Sequence, residues 1–301
     1  MSAGAGAQTI LLINRGAGAG RAGRLWDRLL DDPGLEGEVV CAGSPAQASA
    51  SLEGLLGPGT RRIIAFGGDG TFHHLVNEVM ARGLAGQVEV GLVPLGTGCD
   101  LARTLGLPRR PREALRHLRR CRARPLDLLR VELDGAVLYA ANIASLGLSG
   151  DVARIVNHRA RRGVWTYLSV AIRQLLGTRP RDSAVELDGA PWFSGPLWLL
   201  AVANGPRFAR GMRIAPGALV DDGIADCVVV SAPGPWPLMA QLPALYLGRH
   251  LNSRHVHWAR GREVVLRDGD GGEWQVELDG EPRASRVFRV AIVPGAIRVL
   301  C

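Results

Sequence analysis

The sequence predicts a two-part α/β protein, with a parallel α/β domain followed by a mainly antiparallel β domain, and three observations carry that prediction. Residues 1–125 alternate short apolar runs with longer amphipathic ones, the pattern of βα units around a parallel sheet. Beyond Pro125 the texture changes. Asp-Gly pairs recur at 134, 188, 268 and 279, three of them closing the similar runs RVELDG, AVELDG and WQVELDG, which is a hairpin signal. At 301 residues the chain is long enough for two domains with a core each. The expected domains are 1–125 and 126–301.

In the first part the strands are expected at TILLIN, EVVC, RIIAF and VEVGLV. Helices are expected over 21–30, 45–56, 71–82 and 111–119. In the second part, helices at about 151–176 and 237–248 interrupt the antiparallel strands. Ligands of open parallel sheets bind beyond the carboxyl ends of strands, so the loops after Asn14, Phe66 and Val93 are the expected site.

Composition narrows the chemistry. The formal charge is +8, and all 36 residues counted as Lys or Arg are Arg. A chain without lysine excludes Schiff-base and P-loop lysine mechanisms, so phosphate chemistry here must use Arg, backbone N–H groups and metal. The basic balance favours anionic partners, yet no helix-turn-helix, zinc finger or aromatic-basic platform is present, and nucleic acid is not an expected partner. Cys41, Cys99, Cys121, Cys227 and Cys301 are scattered without a C-x-x-C pair, which points to a reducing compartment without disulfides or structural zinc. The start, MSAGAGAQTILLIN, lacks the features of a signal peptide. Residues 227–248 are uncharged, but Pro233, Pro235, Pro237 and Pro243 interrupt them, so a soluble protein without a spanning helix is expected.

Each of the three loops is rich in glycine. NRGAGAGRAG (14–23) satisfies G-x-G-x-x-G through Gly18, Gly20 and Gly23, but the second strand ends VVCAG without the acid a dinucleotide ribose requires. Phosphate contact therefore suits this loop better than a dehydrogenase role. In GGDGT (67–71), Gly67, Gly68 and Gly70 permit close ligand approach at a helix N-terminus, and Asp69 is suited to ligate Mg²⁺ or to accept a proton. A tight turn with Asp69 as a helix cap is the alternative. PLGTGCDLART (94–104) places Thr97, Asp100 and Arg103 beside Asp69 if the two strands are neighbours, an arrangement suited to a Mg²⁺-nucleotide triphosphate. His73 and His74 raise a metal site, but adjacent helical residues point about 100° apart and no further ligand sits nearby at zinc spacing.

GGDGT, PLGTGCDLAR, ANGPRFARGMRIAPGALVDDGIADC and ELDGE, taken together and in this order, resemble the diacylglycerol-kinase catalytic family, specifically its soluble bacterial lipid kinases, with sphingosine and ceramide kinases as relatives. The resemblance covers nearly the whole chain. It implies a three-layer N-terminal α/β domain of the NAD-kinase and phosphofructokinase type and a C-terminal β-sandwich, with the active site in the cleft between them. It implies ATP and Mg²⁺ as cofactors. Asn14, Gly67, Gly68, Asp69, Gly70, Thr71, Gly96, Thr97, Asp100 and Arg103 would bind the nucleotide, with Asp69 and Asp100 as its metal ligands. Asp69 and Glu281 would be catalytic, Glu281 taking the proton of a lipid hydroxyl. Asp222, assisted by carbonyls near Leu219 and Ile224, resembles the position of a structural Mg²⁺.

The family usually has Asn-Pro where this chain has Asn14-Arg15, Asn-Asp where it has Cys99-Asp100, and Asn-Glu where it has His73-His74. The expected activity is a lipid kinase acting on diacylglycerol or a related long-chain alcohol. An NAD kinase-like enzyme and an impaired nucleotide- or lipid-binding protein are the alternatives. The expected location is cytoplasmic and peripheral at the inner membrane face, with a homodimer possible. Acyl chains are placed against WTYLSVAIRQLL (165–176). Contact with anionic lipid is placed on the face formed by Arg112, Arg116, Arg119 and Arg120, or at Arg159–Arg162.

Overall fold

The computed structural model describes residues 9–17, 20–29, 37–57, 59–96, 98–158, 164–268 and 271–301. Gly18, Thr97 and the segment 159–162 lie outside the described residues. The chain divides into one compact unit of Met1–Leu126 with Gly295–Cys301, and a second of Asp127–Pro294.

The first unit is α/β. Its elements are β1 (Thr9–Asn14), α1 (Arg21–Leu29), β2 (Glu38–Ala42), α2 (Pro45–Glu53), β3 (Arg62–Gly67), α3 (Asp69–Ala81), β4 (Glu89–Pro94), α4 (Asp100–Thr104) and α5 (Pro111–Arg120). The strands run parallel in the order β2-β1-β3-β4. Residues 10–13, 63–66 and 90–93 are buried along their length, the mark of strands covered on both faces. Because β2 and β3 flank β1 on opposite sides, the order of connection reverses at β1, and the carboxyl ends of β1 and β3 open the crevice where open α/β sheets hold ligands.

The second unit begins within β5 (Ala123–Leu133) and continues through β6 (Ala136–Ala140), β7 (Ile143–Gly147), α6 (Leu148–Asn157), α7 (Val164–Gly177), β8 (Arg181–Leu187), β9 (Ala190–Leu197), β10 (Leu199–Ala203) and β11 (Ala225–Val230). It ends with α8 (Pro235–Leu247), β12 (Val256–Gly261), β13 (Glu263–Asp268), β14 (Trp274–Leu278), β15 (Glu281–Ser285) and β16 (Arg289–Leu300). One antiparallel sheet has the order β12-β11-β10-β7-β14-β15. A second layer joins β13 to β8 and to the start of β16, β8 to β9, and β5 to β6. Leu129, Val131, Leu146, Phe193, Val202, Val229, Trp274, Val276 and Phe288 fill one core from both layers, which makes the unit a β-sandwich.

Three of the four Asp-Gly pairs close hairpins, Asp134-Gly135 joining β5 to β6, while Gly269 of the fourth lies outside the described residues. Asp188-Gly189 joins β8 to β9 and Asp279-Gly280 joins β14 to β15. All four residues have positive φ, as a two-residue type I′ turn requires.

Three features differ from expectation. The helix expected at about 151–176 is two helices, α6 and α7. Helix α6 ends at Asn157 with His158 as its cap, and residues 159–163 lie outside the described residues. Helix α4 has only five residues, too few to announce itself by pattern. The end of β16 returns to the first unit and pairs parallel with β4 through Arg298 and Val299, a long-range pairing that no local signal encodes.

Candidate active site

The three glycine-rich loops of the first unit are tied to one another. Asn14 ends β1; its Oδ1 accepts the Gly16 N–H at 3.1 Å and its Nδ2 donates to Thr71 Oγ1 at 3.1 Å. The carbonyl of Gly67, at the end of β3, accepts the N–H groups of Leu95 (2.7 Å) and Gly96 (3.1 Å) from the loop after β4. A Cβ at Gly96 would lie 2.7 Å from the Gly68 Cα, and a Cβ at Gly67 would lie 2.2 Å from Thr71 Oγ1. The loops therefore touch through bare backbone. Gly96→Ala is expected to cost about 1–3 kcal/mol, since backbone on both sides must move. Denaturant unfolding monitored beside an ATP titration checks this, and affinity for ATP should fall with stability.

Asp69 occupies the first turn of α3, where Gly68 supplies no side-chain cap. Its carboxylate accepts the N–H groups of Asp100 (3.0 Å) and Leu101 (3.2 Å), the first turn of α4. Asp69 thus caps a helix 31 residues further on, and this cap in trans explains how five residues hold a helical turn. Asp100, only 4% exposed, takes the Arg103 guanidinium on Oδ1 at 2.7 Å. Asn14, Gly67, Gly68, Asp69, Gly70, Thr71, Gly96, Asp100 and Arg103 are all brought to this end of the sheet by β1, β3, β4 and the helices that follow them.

Cys99 stands in the left-handed region (φ 53) just before α4. Burial, reinforced by Asp69, pushes its thiol up to about 12, so it stays protonated at neutral pH. Asn adopts left-handed backbone more readily than other side-chain-bearing residues. Cys99→Asn is expected to stabilise the protein by about 1 kcal/mol, measured by urea denaturation.

The histidines after GGDGT serve packing. His73 is buried, and the Asn77 amide donates to its carbonyl at 2.8 Å. His74 lies 3.3 Å from Ser49 on α2 and 3.8 Å from Glu78. Burial alone would raise Glu78, but Ser49, Arg82 and His74 outweigh it and hold the carboxyl below its ordinary range.

In the second unit, the DGE turn is clamped from below. The Asp279 carboxylate accepts the N–H groups of Ala141 (2.8 Å), Asn142 (2.9 Å) and Ile143 (3.0 Å), and the Gly280 carbonyl accepts Asn157 Nδ2 at 3.0 Å. Asn204, wholly buried, donates to the carbonyls of Ala141 (2.8 Å) and Asp127 (2.9 Å), while Asn142 donates to that of Arg207 (2.7 Å). Glu281 opens β15, half-buried, immediately after this fixed turn. Asn142 and Asn204 were not singled out from the sequence. Asn204 lies in the ANGPRFARG motif, and both residues directly follow an apolar strand segment, in AAN and AVAN.

Asp222 differs from expectation. Its carboxylate pairs with Arg260 and accepts the Ile224 N–H at 3.2 Å, and Arg260 Nε also stands 3.6 Å from Asp226, to which Trp258 Nε1 donates at 2.8 Å. A guanidinium against both carboxylates does not fit a resident divalent cation, which would compete for the same oxygens under the guanidinium's repulsion. Among the described residues, no group of three or more His, Cys, Asp or Glu could hold a metal. The nucleotide loops do fit phosphates accompanied by magnesium. Their walls exclude Cβ atoms, and Mg²⁺ characteristically takes only one or two carboxylates beside phosphate oxygens.

A parallel α/β unit with glycine-rich loops at its switch point, joined to an antiparallel sandwich carrying a clamped DGE turn, defines a phosphotransferase of the diacylglycerol-kinase class. Residues 8–131 match the diacylglycerol kinase catalytic domain and residues 142–301 match the YegS C-terminal NAD kinase beta sandwich-like domain, and the chain belongs to the YegS-like lipid kinase family. It is 30% identical over 270 residues to a "Probable lipid kinase YegS-like" of Pseudomonas aeruginosa PAO1, covering 89% of this chain and 85% of that one. It is 28% identical over 275 residues to the protein of that name in Stenotrophomonas maltophilia K279a, covering 88% and 87%. In fold it is similar to a diacylglycerol kinase structure from Bacillus anthracis str. Sterne, with a TM-score of 0.71, 19% identity, and 97% and 96% of the two chains covered. A second structure from that strain gives a TM-score of 0.77 at 21% identity with the same coverage.

Proposed function

We propose that this lipid kinase transfers the γ-phosphoryl group of ATP, with Mg²⁺, to the hydroxyl of diacylglycerol or a related long-chain alcohol. The observation that carries the reading is the pair of loops joined through bare backbone at Gly67, Gly68 and Gly96, beside the α3 N-terminus, a surface suited to phosphate oxygens. Gly70 and Thr71 complete that surface, and Thr97, which lies outside the described residues, would be a further phosphate contact. Asn14 holds Thr71 in place. Asp69 would hold the magnesium that accompanies the nucleotide, and Asp100 keeps Arg103 aligned as a phosphate partner. Held there by Asp69, magnesium would supply positive charge against the phosphates during transfer. Glu281 takes the acceptor's proton, and Asp279 positions it. The relatives bearing the names lipid kinase and diacylglycerol kinase support this class of acceptor.

Acting on such an acceptor, the protein works peripherally at the inner face of the cytoplasmic membrane. No helix among the described residues is long and apolar enough to cross a membrane. Helix α5 supports electrostatic contact: Arg112, Arg116, Arg119 and Arg120 are exposed while Ala114, Leu115 and Leu118 are buried.

The test is a set of parallel incubations of the purified protein with γ-labelled ATP and total lipid extract, diacylglycerol in detergent micelles, or NAD. Mg²⁺-dependent label in the lipid fraction is expected. Label on NAD alone, or transfer to none of these acceptors, overturns the reading.

A further inference from the structure

Helix α8 is unlike an ordinary surface helix. Its 13 residues, PWPLMAQLPALYL, contain no charged side chain, and Leu238 is the one side chain in it that is fully buried. Its exposed positions are Trp236 (70%), Ala240, Pro243 and Leu247 (63%). They are spaced i, i+4, i+7, i+11 and form one continuous apolar stripe turned to solvent. The helix is complete, capped by extended Gly234 and by Gly248 in the left-handed conformation. It is about 20 Å long, too short to span a bilayer but of a length to lie along its surface.

Helix α7 runs alongside it. Tyr167, near the start of α7, shares a cluster with Leu245 and Tyr246 at the end of α8, while Leu175, near the end of α7, shares one with Leu238 and Met239 at the start of α8. The two helices are therefore antiparallel neighbours. Trp165 (82% exposed) lies toward the Leu247 end and the exposed Leu176 toward the Trp236 end. Tryptophan combines an apolar body with a polar N–H and is enriched at membrane–water interfaces.

Charge selects the occupant. No acidic residue occurs between Asp151 and Asp182 or between Asp226 and Glu263, the stretches that contain both helices. Arg154, Arg173, Arg179, Arg249 and Arg254 in those stretches are exposed. A second copy packed here would bring further arginines of the same stretches and no acidic partner from them. An anionic bilayer offers phosphates to the arginines and acyl chains to the stripe.

We propose that α8, with the exposed ends of α7, is the element by which this protein inserts into the surface of an anionic lipid bilayer. The proposal rests on the lipid-kinase reading for its purpose, but its test does not depend on catalysis.

The full-length protein, without ATP, is titrated with vesicles of phosphatidylcholine containing about 30% phosphatidylglycerol, and binding is read by co-sedimentation and by tryptophan emission. Trp236→Ser with Leu247→Ser is compared with wild type and with Val137→Ser, an exposed apolar control elsewhere in the second unit. Withdrawing one large side chain from water is worth roughly a factor of ten, so the double variant should bind at least tenfold more weakly. Wild-type emission should shift to the blue on binding, and Val137→Ser should behave as wild type. Arg173→Gln with Arg249→Gln should weaken binding and flatten its salt dependence. Equal binding by the double variant and wild type overturns the proposal. So does a wild-type dimer in ultracentrifugation that Trp236→Ser dissociates. Phosphotransfer to diacylglycerol in detergent micelles separates the two readings: if the double variant keeps wild-type binding and micellar transfer, only the docking proposal fails. Vesicle binding without transfer to any lipid acceptor leaves docking standing and removes the kinase reading.

Discussion

Glu281→Gln is expected to lower turnover by about two to four orders of magnitude while leaving ATP affinity and thermal stability near wild type. Positioned general-base catalysis is typically worth roughly 10² to 10⁴ in rate. Gln keeps the size and shape of Glu but cannot take a proton. The folded state should tolerate the change, because Glu281 is half-buried at the start of β15 and its carboxylate has no hydrogen-bond or ion-pair partner among the described residues. Steady-state transfer to a lipid acceptor, ATP binding by calorimetry and a melting curve together check the prediction. A variant with wild-type turnover removes Glu281 from the mechanism, and a lowered melting temperature assigns it to the fold.

Asp279→Ala is expected to be the most damaging single change to the second unit. The carboxylate accepts three backbone N–H groups from Ala141, Asn142 and Ile143, and hydrogen bonds to a charged group are worth about 1.5–3 kcal/mol, not fully additive. Asp279 also has φ 52, a conformation that costs Ala roughly 1–2 kcal/mol. A total loss of about 3–5 kcal/mol follows, measured by urea denaturation. Asp279→Asn tolerates the left-handed backbone and keeps one acceptor oxygen, so about half the loss is expected. Both variants should also lose turnover, because the turn that presents Glu281 is no longer held. A stable Asp279→Ala with normal activity contradicts the clamp.

Local chemistry made much of this protein legible before its structure. Strands β1, β3 and β4 of the first sheet are short buried apolar runs, and a fully covered strand needs nothing else, while the edge strand β2 buries only Val40 and Ala42. The hairpins at Asp188 and Asp279 follow from Asp-Gly, because two consecutive residues with positive φ exclude most other pairs. The glycine-rich loops fell after strands, where an open sheet holds its ligands. Helix α4 was not legible, because its stability comes from a carboxylate on another loop. Nor was the role of Asp222, where a sequence-distant arginine takes the carboxylate expected to meet a cation.

The contrast between Asp69 and α8 shows where the division lies. The sequence by itself determined two fold classes, the order of the strands in the chain, the three phosphate-suited loops and the absence of lysine chemistry, since each follows from local backbone preference or composition. The tertiary structure decided that Asp69 ties two loops together, that Asp279 carries the turn before Glu281, and that the uncharged 227–248 stretch ends as a helix with an apolar face to solvent. These outcomes depend on which groups meet across long stretches of chain, where a hydrogen bond or a buried face has no periodicity of its own to announce it.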